Sequence, residues 1–298
     1  MPASSAVPSF VRSGDVSLAV REHSPRGKGR PTVVLVHGYP DDQTTWDTLV
    51  AELPLDDWHV VTYDVRGAGA SDAPSRQDGY RTERLVDDLV AVLDVVLAEG
   101  EKAHLVGHDW GSVQLWDAVA AEATDPRLTG RIASFTSISG PSLDHYAWLS
   151  RHRSGRQLRL AKQGLRSWYV LAFHVTGLVE RVWQRRGRRL ARALEQREGL
   201  PRGHFGRAIA KNGANGLGLY RANVLPRLRH PGRVHTDVPV LVIHPERDAY
   251  LTDVLLEGLD EVASDLRVER IDAGHWATVT DAPQVAAWLR EHVTAHAA

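Results

Sequence analysis

Residues 103–112 read AHLVGHDWGS, with Asp109 between Gly107 and Gly111. A strand runs in and a helix runs out, the context of a nucleophile elbow. Small residues are needed on both sides because the turn is sharp and the flanking backbones pack closely. The central side chain is then pushed out over the C-terminal edge of a sheet. The helix N-terminus favours negative charge there. An aspartate at this position implies a particular chemistry. Its carboxylate is ionised near neutral pH and can attack an sp³ carbon, leaving an ester that water must hydrolyse. The plainer alternative is that Asp109 caps the following helix.

Three more groups complete a candidate site. Thr32–His37 reads as a strand and runs into His37-Gly38-Tyr39-Pro40. The loop after such a strand supplies one oxyanion-hole N–H, and the residue after the nucleophile supplies the other. Those are Tyr39 and Trp110. A triad on this plan runs nucleophile, acid, histidine. Pro245-Glu246-Arg247-Asp248 follows one strand, and Asp272-Ala273-Gly274-His275-Trp276 follows another. His275 is therefore the expected general base for the water step, oriented by Asp248. Asp144, after the strand ending at Ile138, is the alternative acid.

The elements that must position these groups alternate as in βαβ units. Strands are expected at Ser17–Arg21, Thr32–His37, His59–Asp64, Ala103–Gly107, Ile132–Ile138, Val238–His244 and Leu266–Ile271. Helices are expected at Thr82–Ala98, Ser112–Ala121 and Gln284–His292. The stretch Arg151–Arg233 breaks the alternation. It carries 20 Lys+Arg against 3 acids (Glu180, Glu195, Glu198), within a chain whose net charge is −1. It contains helix-like runs such as Gly177–Leu194 and reads as a helical insertion between two strands. The expected organisation is a core of residues 1–140 and 234–298, with a helical cap over 141–233.

The 298 residues, 43% of them apolar and 24% charged, suit a globular α/β chain with a sizeable core. The absence of cysteine excludes disulfides, thiolate catalysis and thiolate metal sites. No metal is expected from the 15 histidines, because His104 and His108 fall on a strand and turn with no acidic partner near. MPASSAVPSF lacks the form of a secretory signal, and no apolar run approaches the roughly 18 residues that span a bilayer. A cytoplasmic location is the expectation. The four lysines against many arginines suggest a GC-rich bacterial source.

The motifs together resemble the epoxide hydrolase branch of the α/β-hydrolase family, across about Val16 to Val293. His37-Gly38-Tyr39-Pro40 matches its HG-x-P motif, which implies a cis bond before Pro40. Gly107–Ser112 matches its nucleophile motif. Asp64 to Ser71 (DVRGAGAS) is similar to its D-x-R-G-x-G-x-S loop, a fold marker. The resemblance implies a mostly parallel eight-stranded sheet flanked by helices, with a helical cap. It also implies two cap tyrosines that hold the epoxide oxygen and protonate it as the ring opens. Ser167-Trp168-Tyr169 and Gly218-Leu219-Tyr220-Arg221 look like their segments.

The expected substrate is a small apolar epoxide, opened to a vicinal diol without a cofactor. His37, Pro40, Trp110, Trp168 and Trp276 are the expected substrate contacts, and Trp148 is a further candidate wall of an aromatic pocket. Haloalkane dehalogenases share the Asp nucleophile and following Trp, but they resemble HG-N-P, and Tyr39 stands in place of that Asn. Fluoroacetate-type dehalogenases carry arginines after the nucleophile, where Trp110 and Val113 stand. A non-catalytic receptor on the same fold is a third class. No nucleic-acid partner is expected, and the protein is expected as a monomer or homodimer. The run Arg181–Arg197 could meet an anionic lipid or partner, or be a solvated face.

Overall fold

A computed structural model describes residues 8–152, 155–232 and 234–297. Residues 1–7 of the N-terminal stretch considered above, and Arg233 at the end of the basic block, lie outside them. Eight strands form one sheet: β1 Ser9–Ser13, β2 Val16–Glu22, β3 Thr32–Val36, β4 His59–Tyr63, β5 Ala103–His108, β6 Ile132–Ile138, β7 Val240–Pro245 and β8 Leu266–Ile271. Their order is β1-β2-β4-β3-β5-β6-β7-β8. β2 pairs antiparallel with both its neighbours, and all pairs from β4 to β8 are parallel. β3 to β8 therefore end at one edge of the sheet. The order reverses between β3 and β5, and a crevice forms at such a switch point in open α/β sheets.

Burial explains why these segments are strands. Every residue of β3, β4, β5 and β7 is buried, as expected for parallel strands covered on both faces. Successive side chains alternate sides. Val34 and Val36 join the core on one face, and Val33 and Leu35 join the core on the other. β1 was not foreseen. It is a short edge strand, SFVRS, with only Val11 and Ser13 buried.

Ten α-helices among the described residues accompany the sheet: α1 Asp47–Val50, α2 Thr82–Val96, α3 Trp110–Ala121, α4 Leu143–Arg151, α5 Gln157–Arg166, α6 Trp168–Phe173, α7 Leu178–Glu198, α8 Ile209–Arg229, α9 Ala277–Thr280 and α10 Ala282–Ala295. α2 buries Leu85, Leu89, Val92, Leu93 and Val96, the spacing of one helical stripe. α4 to α8 lie between β6 and β7, with no strand among the described residues of that interval.

α8 fastens this helical insertion to the loop after β4 through its asparagines. Asn212 accepts from the Gly69 N–H at 3.0 Å, and Asn215 donates to the Gly67 carbonyl at 2.9 Å. Asn223 accepts from the Thr82 N–H and donates to the Tyr80 carbonyl. The same loop holds Arg66, whose Nε and Nη2 each donate at 2.6 Å to Asp88 of α2. Both side chains are buried. Removing one partner leaves the other charge uncompensated. Asp88→Ala is expected to lower stability by about 3–5 kcal/mol, read as a shift in the urea midpoint at unchanged slope.

Candidate active site

β5 ends at His108, and the chain turns through Asp109 into α3. Asp109 has φ 51°, in the left-handed region that non-glycine residues rarely adopt. Its side chain makes no capping bond to α3, so the capping role does not apply. The turn leaves no room for larger neighbours. A Cβ on Gly111 would lie 1.8 Å from the Val36 carbonyl oxygen, and one on Gly38 would lie 2.4 Å from Asp109 Oδ1.

The loop after β3 meets this turn directly. The Tyr39 N–H donates to Asp109 Oδ1 at 2.7 Å. The Trp110 N–H is close to the same spot, 2.6 Å from where a Gly38 Cβ would stand. The Tyr39–Pro40 bond is cis.

His275 and Asp248 come from the loops after β8 and β7. His275 Nδ1–H donates to Asp248 Oδ2 at 2.7 Å. His275 Nε2 stands 3.5 Å from Asp109 Oδ2. The second oxygen of Asp248 accepts from the backbone N–H groups of Tyr250 and Leu251 at 2.7 and 3.0 Å. Burial alone would raise the Asp248 carboxyl. The His275 charge and hydrogen bond, with the two N–H donors, hold it below the usual carboxylate value. For His275, burial opposes the charged form, but Asp248 and Asp109 outweigh it and raise its pKa to about 10. His275 thus stands between Asp248 and Asp109, which favour its charged form. Asp144 is elsewhere: it binds Arg227 and the Gly232 N–H.

Above Asp109 lies a cavity of about 240 Å³, lined by Asp109, Trp110, Trp168, Tyr169, Tyr220 and other mainly apolar residues. Tyr220 packs on Trp110 and Tyr39, with ring centroids 4.9 and 5.3 Å apart. Tyr169 is 6.1 Å from Tyr220 by the same measure. Burial first, then the Asp109 charge for Tyr169, and the neighbouring Tyr169 and Asp109 for Tyr220, raise both phenols well above their ordinary value. Both stay protonated at neutral pH.

Three expected substrate contacts are not in this cavity. His37 is turned into the fold: its Nε2 accepts from the Val65 N–H and its Nδ1 meets the Gly38 carbonyl. Pro40 is buried in the turn below Tyr39. Trp276 sits behind the triad, donating its Nε1–H to Asp41 at 2.8 Å and packing on His275 at 4.7 Å. Trp148 stacks on His152 and also lies outside.

Sequence reasoning missed several supporting residues. Asp41 is fully enclosed and binds both Trp276 and His204. The Tyr250 ring packs on His275 with centroids 4.8 Å apart. From α5, Gln163 accepts from Thr252 and donates to the Tyr250 carbonyl, and Arg166 donates to the carbonyls of Asp248 and Leu251. The position of Asp41 directly after the HG-x-P turn was the one available signal. Nothing local marks Gln163 as a support of the site, because its partners in the loop after β7 are 87 and 89 residues away.

The probable oxidoreductase EphD of Mycobacterium tuberculosis is 35% identical over 96% of this chain, which spans 49% of that protein. Epoxide hydrolase B of the same organism is 41% identical over 53% of this chain and 43% of its own length. The chain thus spans about half or less of the length of these curated relatives. An epoxide hydrolase from Bacillus megaterium, solved in complex with an inhibitor, shares the fold with a TM-score of 0.77. That match covers 96% of this chain and 100% of the other at 20% identity. Residues 31–282 match the family described as alpha/beta hydrolase fold. With that match and this sheet, the chain belongs to the α/β-hydrolase fold family.

Proposed function

We propose that the protein is an epoxide hydrolase that opens an epoxide to a vicinal diol through an ester on Asp109. The observation that carries this reading is an ionisable aspartate, not a serine, at the elbow, facing two protonated phenols across an apolar cavity. The relatives named epoxide hydrolase support it. The oxidoreductase name belongs to a protein about twice as long as the segment matched here.

The geometry divides the work between the two oxygens of Asp109. Oδ1 already accepts the Tyr39 N–H. Oδ2 is left to attack a ring carbon. The new C–O bond forms as the ring C–O bond breaks, and the released oxygen takes a proton from Tyr169 or Tyr220. A phenol suits this step because an alkoxide is far more basic than a phenolate. Residues 141–233 act as the cap that holds the epoxide oxygen.

A histidine protonated at rest cannot be a base. The ester removes this difficulty. Once Asp109 is esterified it carries no charge, and the share of the His275 shift that it supplies is lost. His275 then gives up its proton more readily, by way of solvent to the phenolate left by ring opening, and can take one from water, with Asp248 keeping the ring oriented. Water adds to the Asp109 carboxyl carbon. The charge develops on Oδ1, where the Tyr39 and Trp110 N–H groups receive it. Collapse breaks the bond to the substrate oxygen, which takes the proton of the new carboxyl group, so the diol leaves and the carboxylate is restored.

The test is incubation with a panel of aryl and alkyl epoxides and short haloalkanes, assayed for diol and for halide. Diol is expected from wild-type protein and loss of at least about 10³-fold from Asp109→Asn, on the scale of removing a covalent nucleophile. Halide without diol would assign the protein to the dehalogenases. His275→Gln is expected to form the ester without hydrolysing it, seen as an intact-mass increase equal to the epoxide. The electrostatic switch has its own readout. In Asp109→Asn, NMR titration of the His275 ring should give a lower pKa than in wild-type protein, because one of its two carboxylate neighbours is neutral.

The same group fixes a sign for stability. The folded-state pKa of about 10 lies above the ordinary histidine value. Its contribution is complete below the ordinary histidine range near pH 6.5 and is lost as pH rises towards about 10. Denaturation of His275→Gln should show a flatter pH profile across that window than wild-type protein.

A further inference from the structure

Seven of the ten large apolar side chains that stand exposed among the described residues fall between residues 158 and 182. Leu158 and Leu165 lie on the outer side of α5, 88% and 75% exposed, with Lys162 between them. Trp168 and Leu171 of α6 follow, then Leu178 and Val182 at the start of α7. Such concentration is unusual for a surface that meets only water.

α7, the next helix in the chain, carries charge on its exposed side. Its buried stripe is Trp183, Gly187, Ala191 and Glu195, spaced by four. The opposite side begins with Leu178 and Val182 and goes on to Arg185, Arg189 and Arg192, all exposed. Among the described residues no acid pairs with these three. Of the acids in this stretch, Glu180 pairs with Arg221, Glu198 pairs with Arg197, and Glu195 belongs to the buried stripe. Residues 155–198 carry 11 Lys+Arg against 3 Asp+Glu.

The surface also leads to the site. Trp168 and Leu171 are exposed, and both line the cavity that reaches Asp109. An apolar path therefore runs from the outer face of α6 to the candidate nucleophile.

We propose that the outer face of α5, α6 and the N-terminal two-thirds of α7 docks on an anionic lipid surface. Arg185, Arg189, Arg192 and Lys162 meet the headgroup phosphates, and the apolar side chains enter the acyl boundary. Both elements of interfacial binding are present, buried apolar area and basic charge beside it. Pairing of this face with the same face of a second copy would oppose like charges and is disfavoured. No helix among the described residues is long and apolar enough to cross a membrane, so the contact is peripheral. The proposal does not rest on the reaction assigned above, because it is read as association and not as turnover.

The experiment is co-sedimentation with vesicles of phosphatidylcholine alone and of phosphatidylcholine mixed with phosphatidylglycerol. Association is expected with the anionic vesicles at low salt, weakening as salt rises. The triple variant Arg185→Glu/Arg189→Glu/Arg192→Glu should bind at least about tenfold less well. Leu158→Ser/Leu165→Ser should also bind less well, and both variants should keep the wild-type circular dichroism, since every position is exposed. No association with anionic vesicles at low salt overturns the proposal. So does undiminished binding by the triple variant. A dimer in light scattering that these substitutions dissociate would give the face to a second copy and overturn it equally.

Discussion

The site depends on one tight contact, where the start of α3 meets the end of β3. Gly111 lies so close to the Val36 carbonyl that no side chain fits between them. That closeness lets Asp109 hold a positive φ and stand above the sheet edge. It also brings the Tyr39 N–H to Asp109 Oδ1. A looser packing of α3 on β3 would free the turn to relax and would separate the carboxylate from its donor. The parallel strands then need only end where they do for β7 and β8 to deliver Asp248 and His275 to the same place.

Electrostatics within the site follows from burial. Two carboxylates and one imidazole share a space closed off by Trp110, Tyr220, Tyr250 and Trp276. In such surroundings the charges cannot be dispersed into water, so each sets the protonation of the next. Asp248 is the most constrained, with two backbone donors and His275 on its oxygens, and with the carbonyls of its own loop gripped from α5. The rings near Asp109 serve a second purpose. Burial among them raises the Tyr169 and Tyr220 phenols well above their ordinary value, which suits the donor role proposed for them.

Much of the architecture was legible because its signals are local. Continuous β-branched runs such as TVVLV and HVVTY can only be strands buried on both faces, and they are. The elbow was legible because sterics demand small residues at fixed offsets from Asp109. β1 was not, because a five-residue edge strand has one wet face and few apolar residues. Sequence neighbourhood misled at His37, Pro40 and Trp276. Each adjoins a residue of the candidate site, but adjacency does not fix direction, and hydrogen bonds to Val65 and Asp41 turn His37 and Trp276 away from the cavity. The contacts of Gln163, Arg166 and Asp41 join positions far apart in sequence, and no local pattern encodes them.

The division between the sheet loops and the helices of residues 143–229 has a consequence for how such a protein can change. Asp109, Asp248 and His275 all issue from strand ends, whereas Trp168, Tyr169 and Tyr220 issue from the segment between β6 and β7. On the function proposed here, reactivity and fit to the ligand are thus inherited on different stretches of chain. A lineage can exchange or reshape the helical stretch and alter which molecules enter, while the turn at Asp109 stays under the same steric demand. The asparagines of α8 mark the limit of that freedom, since any replacement must still satisfy the backbone groups of Gly67, Gly69, Tyr80 and Thr82.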